Sequence, residues 1–183
     1  MEQASFFCNL NDGRQIEIRS PQRDEASDIL AVMTEIAETS PYILSTSEDF
    51  KKRTIEAQTK WIDEANRSST SVIIAAYFKG KVVGLCDARS FKEVKRRHRA
   101  SLGISVDEKF RATGLGRKMT EILLENMKKF EGIKIIQLEV MSANLPAIKL
   151  YESFGFKKAG IFPKAYILPS GEELDNISMY INL

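Results

Sequence analysis

Two hydrophobic periods alternate along the chain. Ile16 and Ile18 alternate with polar neighbours between Arg14 and Arg19, directly after Asn11-Asp12-Gly13, which predicts a turn followed by a first strand. Ala26, Ile29, Leu30, Met33, Ile36 and Ala37 then recur at helical spacing and give one apolar face. Pro21 and Asp24 supply the start signal of that helix, and Ser40-Pro41 ends it. Tyr42 to Ser47 reads as a loop, and Glu48 to Arg67 as a second, more polar helix that carries Trp61. Val72 to Phe78 and Val82 to Arg89 are apolar, β-branched runs joined by Lys79-Gly80-Lys81, the pattern of a tight hairpin. After a basic run from Lys92 to Arg99, a strand is predicted from Ala100 to Val106. Leu115, Met119, Ile122, Leu123, Met127 and Phe130 mark an amphipathic helix that Gly132 ends. Ile135 to Val140 reads as a buried strand and Asn144 to Phe154 as a short helix closed by Gly155. Phe156 to Leu168 is extended, Pro169-Ser170-Gly171 turns, and Ile177, Met179, Ile181 and Leu183 alternate as a last strand.

Hairpins dominate the first half of this order and a crossover the middle. The expectation is an α/β fold with a mixed, mostly antiparallel sheet flanked by helices. At 183 residues and 43% hydrophobic, the chain suits one domain spanning 1–183. The net charge of +2 shows no large basic excess, so a nucleic-acid partner is not expected. No apolar run approaches the roughly 20 residues of a membrane helix. The opening Met-Glu-Gln-Ala-Ser-Phe-Phe-Cys is too short and acidic for a signal peptide. Cys8 and Cys86 follow no metal spacing, and there is one histidine, so no metal site is expected. Reduced thiols in a soluble, cytoplasmic protein fit best.

The segment Val106-Asp107-Glu108-Lys109-Phe110-Arg111-Ala112-Thr113-Gly114-Leu115-Gly116 lies between a predicted strand and a long helix. The first N–H groups of a helix lack intrahelical acceptors, and its dipole adds partial positive charge, which suits a pyrophosphate. Gly114 and Gly116 are expected to let the backbone approach the anion in conformations a side chain would forbid. Arg111, Arg117 and Lys118 supply charge nearby. The P-loop pattern is absent, and Met119 stands where the dinucleotide fingerprint needs a third glycine. On the two glycines alone, a turn that uses them only for geometry is the better reading.

Arg111-x-x-Gly114-x-Gly116 after a strand ending in Val106 resembles the acetyl-CoA pyrophosphate motif of the GNAT superfamily of N-acetyltransferases. A second stretch, Leu138-Glu139-Val140-Met141-Ser142-Ala143-Asn144 through Ala147 and Leu150-Tyr151-Glu152 to Gly155-Phe156, is similar to a further segment of that family at the expected distance. The resemblance covers roughly residues 100–179. It implies that the strand before the loop splays from its neighbour and that the main chain of Ile104 and Val106 holds pantetheine. It further implies that Arg111, Ala112, Thr113, Gly114, Leu115 and Gly116 hold the pyrophosphate, and that Asn144, Ala147 and Tyr151 touch the cofactor.

Aminolysis of a thioester needs a neutral amine, a held carbonyl and a proton for the leaving thiolate. By resemblance Tyr151 is the acid; on spacing alone it belongs to an apolar helical stripe with Ile148 and Phe154. Glu139 is the candidate base, a carboxylate in an apolar strand whose pKa some burial would raise; a solvated or salt-bridged residue is the competing reading. Glu139 and Tyr151 stand at the base and acid positions of bacterial enzymes that acetylate a ribosomal-protein N-terminus, which this stretch resembles. Asn144 also reads as a helix N-cap. His98 and the basic run around it read as a solvated hairpin loop, with an acidic partner such as ribosomal RNA as the weaker reading. The acceptor is expected between Tyr42 to Asp49 and Phe162 to Glu173, where Tyr42, Glu48, Asp49, Tyr166, Glu172 and Glu173 stand. The expected activity is acetyl transfer from acetyl-CoA to a primary amine in a ternary complex, against a non-catalytic acyl-CoA sensor of the same fold. The resemblance is also compatible with a homodimer.

Overall fold

The computed structural model describes residues 5–183; the opening stretch read above for a targeting signal lies partly outside them. The strands are β1 (Phe6–Asn9), β2 (Gln15–Arg19), β3 (Ser71–Phe78), β4 (Lys81–Ser90), β5 (Arg99–Val106), β6 (Ile135–Met141), β7 (Lys157–Ile167) and β8 (Glu173–Asn182). The helices are α1 (Ala26–Thr39), α2 (Ser47–Lys51), α3 (Ile55–Arg67), α4 (Leu115–Met127) and α5 (Leu145–Ser153). All the strands join one sheet in the order β1-β2-β3-β4-β5-β6-β8-β7. Every neighbouring pair is antiparallel except β5 and β6, so the sheet is mixed and mostly antiparallel, as expected.

Each face of the sheet buries its own core. Ile74, Cys86, Ala88, Leu102, Ile136, Leu138, Val140 and Ile177 pack against Leu115, Met119 and Leu123 of α4 and Tyr151 of α5. On the other face Ile73, Ala75, Tyr77 and Leu85 pack against Ile29, Val32 and Ile36 of α1 and Ile62 of α3. Strand alternation therefore assigns Gln137, Glu139 and Met141 to the α1–α3 face. In the middle of the sheet, a Cβ on Gly84 would lie 3.1 Å from the Met119 sulfur and 3.2 Å from the Ser105 carbonyl oxygen. A side chain there would force the Met119 side chain or the β5 backbone to shift by a few tenths of an ångström.

Two elements differ from the sequence reading. The Asn11-Asp12-Gly13 turn is preceded by β1, a strand too short to show a period of its own, so the chain opens with a hairpin. The helix expected over Glu48 to Arg67 is two helices. Thr46 caps α2, and the Thr54 hydroxyl accepts from the Ala57 N–H at 3.1 Å to start α3. A threonine that satisfies a free N–H competes with continued helix, and here the cap wins.

Candidate active site

The β5–β6 pairing is brief. It runs from Arg99 opposite Ile135 to Ser101 opposite Gln137 and stops. Beyond that rung β5 stays on β4 as far as Val106 opposite Gly84, while β6 stays on β8 as far as Met141 opposite Asn176. A gap opens in the middle of the sheet. The Phe91 N–H donates to Arg99 O at 3.1 Å and the Asp107 N–H to Val83 O at 3.0 Å, which fixes the alternation along β5. Ser101, Gly103 and Ser105 bond to β4, so the main-chain N–H groups of Ile104 and Val106 face the gap. Among the described residues neither N–H finds a partner. Unpaired main-chain groups on an internal strand call for a ligand or water.

The loop from Asp107 to Leu115 sits at the wide end of the gap. Ala112 has φ 59° and Gly114 has φ 91°, both left-handed. Gly114 is the N-cap of α4. Alternating backbone hands turn successive N–H groups into one concavity, the geometry of an anion nest at a helix start. Gly116 corrects an expectation: it needs no unusual φ, and a Cβ there would meet Leu150 and Ile104 at ordinary distances of 3.5 and 3.9 Å. What matters at position 116 is a bare surface between α4, α5 and β5. Leu115 is fully buried. The Thr113 hydroxyl donates to Phe110 O at 2.7 Å. The Arg111 guanidinium donates to Val106 O at 3.1 Å and to Thr39 at 3.3 Å, so it ties the end of β5 to α1. Arg117 turns towards α5, where it donates to Ser153 at 2.7 Å.

Tyr151 and Glu139 approach the gap from opposite faces. Tyr151 is 6% exposed, packs in the α4–α5 core and lies beside Phe156 at 5.6 Å between ring centroids. Burial, with Cys86 nearby, pushes its phenol well above the ordinary value, so it stays protonated. Among the described residues its hydroxyl has no hydrogen-bond partner. Glu139 is exposed on the α1–α3 face, which favours the solvated reading over the buried one. Its carboxylate lies close enough to Tyr166 of β7 to help burial raise that phenol. Asn144 caps α5: its side chain accepts from the Ala147 N–H at 3.4 Å, and Ala147 packs at the edge of the core.

Asp87 escaped the sequence reading. It lies on β4 opposite Gly103, whose added Cβ would stand 3.3 Å from Asp87 Oδ1. Burial raises its carboxyl above the usual range, against the pull of Arg89, which donates to it at 3.0 Å. The rung register sets Asp87 opposite the bare Gly103, while Glu139 stands on β6 two residues beyond its last rung with β5. The signal was a lone carboxylate in the apolar run Val82 to Ala88.

Of the expected acceptor wall, Asp49 serves the α2 cap, where it accepts from the Thr46 N–H at 2.9 Å, and Glu173 pairs with Lys164 at 2.6 Å. Tyr166 lies within electrostatic reach of Glu139 beside the gap. The basic run forms the β4–β5 turn, with Arg96 stacked on Phe91 at 3.8 Å. A depression of about 910 Å³ lies outside α3, lined by Arg23, Glu56, Lys60 and Asp63. It is remote from the gap, and the gap-and-loop chemistry weighs more than its size. No helix among the described residues is long and apolar enough to cross a membrane.

The comparisons with known proteins name the class. The model of the acetyltransferase (GNAT) family matches residues 30–156, more than half of the chain. The chain belongs to the GNAT family of acetyltransferases. It is 31% identical over 102 residues to the L-amino acid N-acetyltransferase AaaT of Escherichia coli, a match covering 56% of this chain and 62% of that protein. It is 40% identical over 70 residues to the [ribosomal protein bS18]-alanine N-acetyltransferase of E. coli, covering 38% of this chain and 47% of the relative. The matched stretches thus span about half to three fifths of these relatives. A solved acetyltransferase structure from Salmonella typhimurium, with its cofactor acetyl-CoA, superposes with a TM-score of 0.79 at 18% identity over 92% of this chain and 94% of that one.

Proposed function

We propose that this chain transfers an acetyl group from acetyl-CoA to a primary amine, of a small molecule or of a protein N-terminus, by direct attack in a ternary complex. The gap between β5 and β6 carries this reading. Its free N–H groups at Ile104 and Val106 suit the amide-bearing pantetheine arm, which would add as a strand between the parted ones. The nest of Arg111 to Gly116 and the start of α4 suit the pyrophosphate. Arg111 acts there by holding the loop to Thr39 and Val106. Asn144 and Ala147 line the gap from α5.

The two faces then divide the chemistry. The amine arrives from the α1–α3 face and gives a proton to Glu139, directly or through water. Its nitrogen forms a bond to the thioester carbon while a gap-facing N–H of β5 steadies the carbonyl oxygen. The C–S bond breaks, the sulfur leaves towards α5, and Tyr151 donates its proton to the thiolate. The attacking nitrogen sheds its second proton to water as the adduct collapses to the amide, Glu139 passes its proton to solvent, and Tyr151 regains one from solvent. Glu139 beside the gap and Asp87 opposite the bare Gly103 are carboxylates on this face, which favours a cationic amine over an acidic one. Residues 1–183 are read as one domain of this kind.

The test is thiol release from acetyl-CoA against a panel of amino acids, polyamines and peptides with free N-termini, with the acetylated product identified by mass. Release that depends on one amine class supports transfer. Tight acetyl-CoA binding with no release across the panel supports the sensor alternative instead.

A further inference from the structure

We propose that the turn of the β1–β2 hairpin, which lies before the family-matched residues 30–156, is a built part of the phosphate site and holds the anion-binding loop in its strained shape. This rests on the reading that the loop binds the pyrophosphate of acetyl-CoA. Two tethers reach from the turn to the loop. The Asn11 main-chain N–H donates to Thr113 O at 3.0 Å. The Arg14 guanidinium donates to Lys109 O at 2.7 Å and stacks on the Phe110 ring at 3.9 Å. Between the two anchored carbonyls stands Ala112, a non-glycine residue at φ 59°. Such a conformation persists only where its surroundings over-determine it. The hairpin grips the loop on both sides of its strained residue.

The turn itself is braced for this. The Gly13 N–H donates to Leu10 O at 3.0 Å, and the Leu10 N–H donates to Arg14 O at 2.8 Å. Asp12 fixes the Arg14 fork through Nη2 at 2.6 Å and Nε at 2.8 Å, so the guanidinium is oriented before it meets the loop. The Asn11 amide stands 3.3 Å from where a Cβ on Gly114 would be, so the turn also closes over the helix cap. Asn11 and Arg14 are positioning residues: they act through the loop. A loop whose N–H groups already converge binds its anion without an ordering cost, so the hairpin raises affinity for the cofactor at its phosphate end.

Two variants cut the tethers one at a time. Asn11→Pro removes the N–H donor at the second position of the Leu10–Gly13 turn, where the ring's fixed φ is tolerated. Arg14→Ala removes the fork and the stack. Phe7→Thr, an exposed hairpin residue away from the loop, is the control. Calorimetric titration with acetyl-CoA should show a Kd raised roughly tenfold for each tether variant and unchanged for the control. At saturating acetyl-CoA the exchange protection of the Ile104 and Val106 amides should match the parent, because the pantetheine end is untouched. Parent-like Kd values in both tether variants overturn this inference alone. Weakening that comes with lost protection at Ile104 and Val106, or in step with lost ligand-free thermal stability, also overturns it, since a general disturbance would do that. A parent that does not bind acetyl-CoA overturns the functional reading together with this one.

Discussion

Tyr151 and Glu139 divide one reaction between two faces of a sheet, and each can be tested where it stands. Among the described residues the Tyr151 hydroxyl meets no partner, so Tyr151→Phe removes the proton donor and little else. Turnover should fall by roughly 10² to 10⁴-fold, the usual worth of a positioned acid, with acetyl-CoA affinity and melting temperature near the parent's. Unchanged turnover would remove Tyr151 from the mechanism. Because burial holds this phenol protonated, kcat should show no fall from its ionisation at the ordinary tyrosine value near 10. Glu139→Gln should be most defective at neutral pH and recover towards the parent as pH rises and the free amine becomes abundant. A defect of constant size across pH would assign Glu139 a binding role. Asn144 was legible as a helix cap and Tyr151 as part of an apolar helical stripe. For Glu139 the buried and solvated readings stayed open, because strand alternation tells which face a residue takes and not whether a helix covers it. Asp87 was missed because its burial follows from the place of β4 inside the sheet, which its own apolar run does not show.

Among the elements, caps and short strands set the limit of sequence reading. The long amphipathic helix α4 and the apolar strands β3, β4 and β6 announce themselves by period. The break between α2 and α3 rests on one threonine hydroxyl, and β1 on four residues that pair with β2. Thr54→Ala should cost about 1 kcal/mol of stability, read by chemical denaturation; no loss would mean the break is enforced by packing alone. Ahead of α1, Glu25 receives Arg19 at 2.7 Å and the Tyr77 hydroxyl at 2.9 Å, which ties the helix start to β2 and β3. Burial alone would raise the Glu25 carboxyl, but Arg19, the Gln22 N–H and Tyr77 outweigh it and hold the carboxyl below its usual range. A depressed carboxyl lends stability above its unfolded value, about 4.3, and that stability is lost as pH falls through and below it. Glu25→Gln should therefore lower stability at neutral pH and flatten its decline in acid. A decline as steep as the parent's would place the acid sensitivity elsewhere.

At the scale of the whole molecule, the account depends on a sheet that comes apart in the middle. Composition and period predict the mixed sheet, and the glycine loop predicts an anion site, but parting strands leave no mark on hydrophobic pattern; that expectation came from resemblance. The structure adds the alternation of main-chain groups along β5. Residue-by-residue amide hydrogen exchange tests it most directly. Gly103 and Ser105, bonded to β4, should be protected with or without ligand, while Ile104 and Val106 should exchange quickly alone and become protected when acetyl-CoA is added. If acetyl-CoA binds and Ile104 and Val106 continue to exchange as before, the cofactor does not lie in the gap, and the site proposed here is wrong.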